Sequence, residues 1–137
     1  MKEKSCGAVV YKIENEKVLF LILKHNAGHF SFPKGHMEPL ESEVDTAIRE
    51  IKEETNIDVE IDESFRMVNT YSPKEGIIKD VIFFLGKCCS NEIVAQTSEI
   101  SEIFWYDFDS SKNVITFEND RIILEKAYKY IVDNILK

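Results

Sequence analysis

The sequence predicts an α+β fold in which a β-sheet is covered by an α-helix on each side. Apolar runs of strand length recur through the first two thirds of the chain. One helix-periodic segment interrupts them after Ser42, and a second, also amphipathic, closes the chain. With 137 residues, 44% of them hydrophobic and 31% charged, the chain fits one compact globular domain over residues 1–137.

Residues 4–13 read as a strand and 17–24 as a second, with Glu14-Asn15-Glu16 as the hairpin turn between them. The run from Val18 to Leu23 is apolar on both faces, so that strand belongs in the covered centre of the sheet. Residues 25–41 are rich in Gly, His, Pro and Lys and read as a functional loop, with a short strand over Phe30-Ser31-Phe32. The first helix follows, with Val44, Ala47, Ile48 and Ile51 as its apolar stripe. Ser42 is its N-cap, with Asp45 three residues on, and Asn56 is its stop, because Asn tolerates the left-handed conformation. Residues 57–70 and 78–90 read as longer strands joined by the turn Ser72-Pro73-Lys74-Glu75-Gly76, and 102–108 as a short strand. Leu124, Ala127, Tyr128, Ile131 and Ile135 mark the closing helix.

Composition excludes several functions. No apolar run approaches a membrane span, and the opening residues lead into a strand without a signal core, so the expected setting is cytoplasmic. Cys6, Cys88 and Cys89 are odd in number and lack framework or metal-ligand spacing. A net charge of −8 opposes nonspecific nucleic-acid binding. A polyanionic substrate therefore needs local help from a divalent cation and a few placed lysines. No motif specifies a macromolecular partner or an oligomeric state.

The first helix breaks a stability rule. Glu50, Glu53 and Glu54 project to one side, and Glu50 with Glu54 forms an i, i+4 like-charge pair. Such carboxylates provide hard oxygen ligands suited to Mg²⁺ or Mn²⁺. A solvated acidic face has the same three residues, so the wider spacing decides. Gly35 is followed after five residues by Glu41, after seven more by Arg49-Glu50-Ile51, then by Glu53-Glu54 and Asn56-Ile57. This array resembles the signature box of the Nudix hydrolase family, departing from it only at Asn56, where the family has glycine.

The resemblance implies the Nudix fold, a mixed sheet between helices, and Mg²⁺-dependent hydrolysis of a phosphoanhydride bond in a nucleoside polyphosphate-type substrate. It implies that Glu50, Glu53 and Glu54 with the Gly35 carbonyl hold the metal, and that Arg49 orients Glu41 and Glu53. A carboxylate accepts the proton of the attacking water. The candidates are Glu53 and, from the later loop Thr97-Ser98-Glu99-Ile100, Glu99, with Glu102 its competitor.

The stretch Phe32-Pro33-Lys34-Gly35-His36-Met37-Glu38-Pro39 further resembles the asymmetric diadenosine tetraphosphate hydrolase branch of the family, as do Cys6-Gly7-Ala8-Val9-Val10 and the length. That likeness implies phosphate contacts from Lys34, His36 and Lys79, adenine stacking on Tyr71, and ATP plus AMP as products. Leu40 departs from that branch, which often has glycine there. His25 and His29 receive no role. The competing readings are an RNA 5′ pyrophosphohydrolase, a nucleoside triphosphate pyrophosphatase, and a nucleotide-sensing module that has lost catalysis. The intact set of box glutamates opposes the last.

Overall fold

The computed structural model describes residues 1–90, 93 and 99–136. Among these residues seven strands and three helices follow one another as β1 (Lys2–Glu14), β2 (Lys17–His25), β3 (Phe30–Ser31), β4 (Lys34–His36), α1 (Glu43–Thr55), β5 (Val59–Lys74), β6 (Ile77–Cys88), β7 (Ile100–Tyr106), α2 (Phe108–Val114) and α3 (Glu118–Asn134). The sheet runs β3-β2-β1-β6-β5, with β4 pairing β1 and β7 pairing β2. Only β1 and β6 are parallel, in register from Lys2↔Ile78 to Tyr11↔Lys87, and every other pairing is antiparallel. The sheet is therefore mixed, as the resemblance implies.

Side-chain alternation divides the three central strands between two apolar layers. Cys6, Ala8 and Val10 of β1, Leu21 and Leu23 of β2, and Ile82 and Phe84 of β6 pack with Ala47 and Ile51 of α1. Val9 and Tyr11, Phe20 and Ile22, and Val81, Phe83 and Leu85 pack with Ile123, Leu124, Ala127 and Ile131 of α3. Both faces of the β2 run are covered, which is why it carries no polar alternation. Each fully buried Phe or Ile in these layers stabilises the fold by roughly 1.5–3 kcal/mol.

The β1–β2 hairpin turns on Asn15 and Glu16, both with positive φ (52° and 66°). A two-residue turn of that hand matches the twist of its strands. The β5–β6 connection is likewise shorter than the five-residue turn expected. Strand β5 continues to Lys74, and Gly76 makes the turn at φ 82°.

Other expectations need correction. Phe108 does not extend the strand over 102–108: β7 ends at Tyr106, and Asp107 caps α2 by accepting from the Ser110 backbone N–H at 2.8 Å. This helix of weak formers went unread because its start depends on one cap. Ile48 lies outside the buried stripe of α1 and is exposed, while Thr46, Glu54 and Thr55 are buried instead. Ile135 is the C-cap of α3 and is also exposed. Among the described residues, no helix is long and apolar enough to cross a membrane.

Candidate active site

Helix α1 starts on a complete capping box. The Asp45 backbone N–H donates to Ser42 Oγ at 3.0 Å, and the Ser42 N–H donates to Asp45 Oδ2 at 3.3 Å. It ends on Asn56 in the left-handed region at φ 65°. Ala47 and Ile51 fix its rotation against the sheet, which turns Glu50 and Glu54 toward the Lys34–Gly35 segment. The Lys34 backbone N–H donates to Glu54 Oε1 at 3.1 Å. At Gly35, a Cβ would meet the Glu50 carboxyl, so any larger residue there would push that carboxyl off its position.

Arg49 joins the rest of the box. Its guanidinium makes a fork on Glu41, with Nε to Oε2 at 2.6 Å and Nη2 to Oε1 at 3.0 Å. The same Nη2 donates to the His36 carbonyl at 2.9 Å, and Nη1 donates to Glu50 Oε1 at 2.8 Å and to Glu53 at 3.2 Å. Glu41 also accepts from the Glu38 backbone N–H and from Thr46 Oγ1, each at 2.9 Å. Arg49 thus ties the loop before the helix to the acidic face of the helix itself.

These contacts separate the carboxylates electrostatically. The Arg49 fork, helped by the Glu38 N–H, holds the Glu41 carboxyl down to about 2. Burial pushes Glu50 up, against the pull of Arg49. Burial also pushes Glu54 up to about 8. The Glu50 charge adds to this rise and that of Glu99 contributes further, while the Lys34 N–H opposes it. The fold by itself therefore disfavours the charged forms of Glu50 and Glu54, and a cation bound there would favour them. Hard carboxylate oxygens beside a backbone carbonyl fit Mg²⁺ or Mn²⁺. Among the described residues, no three His, Cys, Asp or Glu side chains are already gathered into a closed metal shell. Arg49 instead holds Glu50 and Glu53.

A cavity of about 390 Å³ opens on the α3 face of the sheet and takes in Lys34 and Tyr71. Val81 and Phe83 line its wall, and Phe117, Asn119 and Asp120 border it at the start of α3. Tyr71 is opposite Lys79 in the β5–β6 ladder. Burial and the neighbouring Lys34 charge depress the Lys79 ammonium, so the two lysines lie within electrostatic reach of each other. His36 is different: its side chain is exposed, and its carbonyl is the group that the box engages. Glu99 is in an exposed turn whose carbonyl accepts from the Asn26 N–H at 2.8 Å, and Thr97 and Ser98 lie outside the described residues. Glu102 reaches toward Lys24, at 3.9 Å.

Sequence reasoning missed the far side of the cavity. His29 lines it and stacks on His25 with ring centroids 4.1 Å apart. Asp120 was visible in principle, because it shares the apolar stripe of α3 with Leu124, Ala127 and Ile131, where a charge is out of place.

The NUDIX domain family model matches residues 1–126. The asymmetrical bis(5′-nucleosyl)-tetraphosphatase of Sus scrofa is 29% identical over 96% of this chain and 97% of its own. That of Caenorhabditis elegans is 31% identical over 96% and 98%. A crystal structure of a C. elegans Ap4A hydrolase binary complex superposes with a TM-score of 0.87 at 27% identity, covering 96% of this chain and 98% of the other.

Proposed function

The chain belongs to the Nudix family and is a pyrophosphohydrolase acting on acid anhydrides; from that premise we propose that it hydrolyses dinucleoside polyphosphates in a Mg²⁺-dependent reaction. Diadenosine tetraphosphate is the reference substrate, with ATP and AMP as products. The observation that carries this reading is the position of Lys34. Its backbone N–H bonds Glu54 of the box, while the residue itself lines the cavity that contains Tyr71. A phosphate chain at Lys34 can thus have its scissile bond at the carboxylates and its nucleoside in the cavity. The tetraphosphatase relatives, aligned over nearly the whole chain, support the same substrate class.

In this reading Glu50, Glu53 and Glu54 hold the metal with the Gly35 carbonyl. When bound, Mg²⁺ (or Mn²⁺) neutralises phosphate charge and makes bound water more acidic. Lys34 and Lys79 bind the phosphates as point charges, and His36 borders the same loop. Arg49 keeps Glu41, Glu50 and Glu53 in position. The proton of the attacking water passes to Glu53 or to Glu99. Tyr71 offers a stacking surface worth about 1–3 kcal/mol to a base. The net charge of −8 counts against an RNA 5′ end as the substrate.

The test is product analysis with Mg²⁺ and a panel of diadenosine tetraphosphate, ATP, oxidised dGTP and triphosphorylated RNA. Cleavage of the first to ATP and AMP, abolished by a chelator, is the expected result. Faster turnover of another panel member discards the substrate assignment. Glu54→Gln should lower turnover by at least about 100-fold while the fold survives. Near-normal activity in that variant refutes the metal assignment.

A further inference from the structure

Asp120 is a charged residue in an apolar position. Only 6% of it is exposed. Among the described residues, its carboxylate accepts no hydrogen bond and has no ion-pair partner within 4.0 Å. It stands in the first turn of α3, yet no side chain caps that helix start. Burial pushes its carboxyl up to about 6, and the charge of Lys34 opposes this only in part. A buried charge without partners costs stability unless something else satisfies it. Among the described residues no hydrogen-bond donor does so, Lys34 counters the charge only from a distance, and the group borders the cavity beside Val81, Phe83 and Phe117.

We propose that Asp120 selects the base, accepting from the two adjacent N–H donors of guanine in preference to adenine. This rests on the cavity being the nucleoside end of the site proposed above. An ionised carboxylate is acceptor-only, with two oxygens side by side. Guanine presents N1–H and the 2-amino group next to each other, so both oxygens find a donor. Adenine presents one amino group flanked by ring acceptors, so the second oxygen meets a lone pair. Adenine is better matched by an amide, which has one donor and one acceptor. Asn69 and Asn119 border the same cavity and are tied to each other, Asn119 Nδ2 donating to Asn69 Oδ1 at 3.1 Å, but an amide has only one acceptor oxygen, so neither offers the side-by-side pair that Asp120 does.

The test is calorimetric binding of GMP, inosine monophosphate and AMP to the whole protein, wild type and Asp120→Asn. Wild type should bind GMP about tenfold more tightly than AMP. Inosine monophosphate, which lacks the 2-amino group, should fall between them, a readout that needs no variant. Asp120→Asn should abolish or invert the GMP preference. Equal binding of GMP and AMP, absence of binding by both, or a preference unchanged in Asp120→Asn overturns the proposal. Diguanosine and diadenosine tetraphosphates, assayed alongside, separate the two readings. If both are cut at equal rates with no base preference, the assignment of Asp120 fails and the reaction stands. If neither is cut while GMP is preferred, the reaction assignment fails and Asp120 keeps its role.

Discussion

Two residues depart from the motifs that the sequence resembles, and both stand in left-handed backbone. Asn56 has φ 65° and Leu40 has φ 70°. The sequence shows each as a mismatch, and the backbone shows why glycine is preferred there. Asn tolerates the region, whereas Leu does so at a cost of about 1–2 kcal/mol. Leu40 also projects entirely into solvent, so its side chain returns nothing by burial. Leu40→Gly should therefore raise stability by up to about 1 kcal/mol, after the entropy that glycine costs, and Asn56→Gly by only a few tenths. Urea melts of the two variants check this, and a destabilised Leu40→Gly would contradict it. Arg49 is the opposite kind of residue, one whose role depends on shape. A lysine keeps the charge but cannot make the fork on Glu41 while also reaching the His36 carbonyl and Glu50. Arg49→Lys should lower kcat at least about tenfold and stability by roughly 1–3 kcal/mol, read by steady-state kinetics and thermal melts. A lysine variant with wild-type turnover would reduce Arg49 to a simple ion pair.

At the scale of elements, α1 was legible almost to the residue because its signals are local: a capping box, a buried Ala47–Ile51 stripe and an Asn stop. Strand β4 was hidden, because Lys34-Gly35-His36 has no strand composition and forms only by pairing with Ser5–Gly7 of β1, far away in the chain. The cavity was hidden for the same reason, since β3, β4, β5, β6 and the start of α3 each contribute to its wall. Long-range ties also hold α1 in place. Glu43 accepts from Arg66 of β5 through two bonds of 2.9 Å and from Lys4 of β1 at 2.9 Å. Arg66, then Lys4, hold its carboxyl down to about 2 from its ordinary 4.5. A group lowered in this way contributes stability that is present above about pH 4.5 and lost as pH falls toward 2. Glu43→Gln should therefore cost stability at pH 7, by no more than about 1 kcal/mol for so exposed an Arg66, and the cost should vanish near pH 2. Melts of both proteins between pH 2 and 7 decide it. A gap independent of pH would mean that the side chain acts by packing alone.

For the whole molecule, a sheet covered by a helix on each side and an acidic helix face follow from periodicity, because each depends on neighbours close in sequence, whereas the mixed pairing, set by the distant β1–β6 contact, is implied only by the family resemblance. Asp120 is legible as a charge in conflict with the apolar stripe of α3, but its place in the cavity wall exists only once α3 is laid against β6. That conflict predicts a stability that rises when the acid is removed. Asp120 is raised from 3.8 to about 6, so the folded state binds its proton more tightly than the unfolded chain does. Its ionisation costs the fold nothing below about pH 3.8, and the cost grows as pH rises through 6. Asp120→Asn removes this cost, so the variant should be more stable than wild type at pH 7 by on the order of 1–3 kcal/mol, several degrees in Tm. The advantage should disappear near pH 4. His25, depressed by burial to about 4, moves in the other sense and loses stability as pH falls below 6.5, but it is present in both proteins and cancels in the difference. The pH profile of that difference therefore isolates one residue. A variant less stable than wild type at pH 7 would make Asp120 a structural acid with a partner in the fold. A more stable variant that has lost its purine preference would show stability given up for recognition, at one position in the cavity wall.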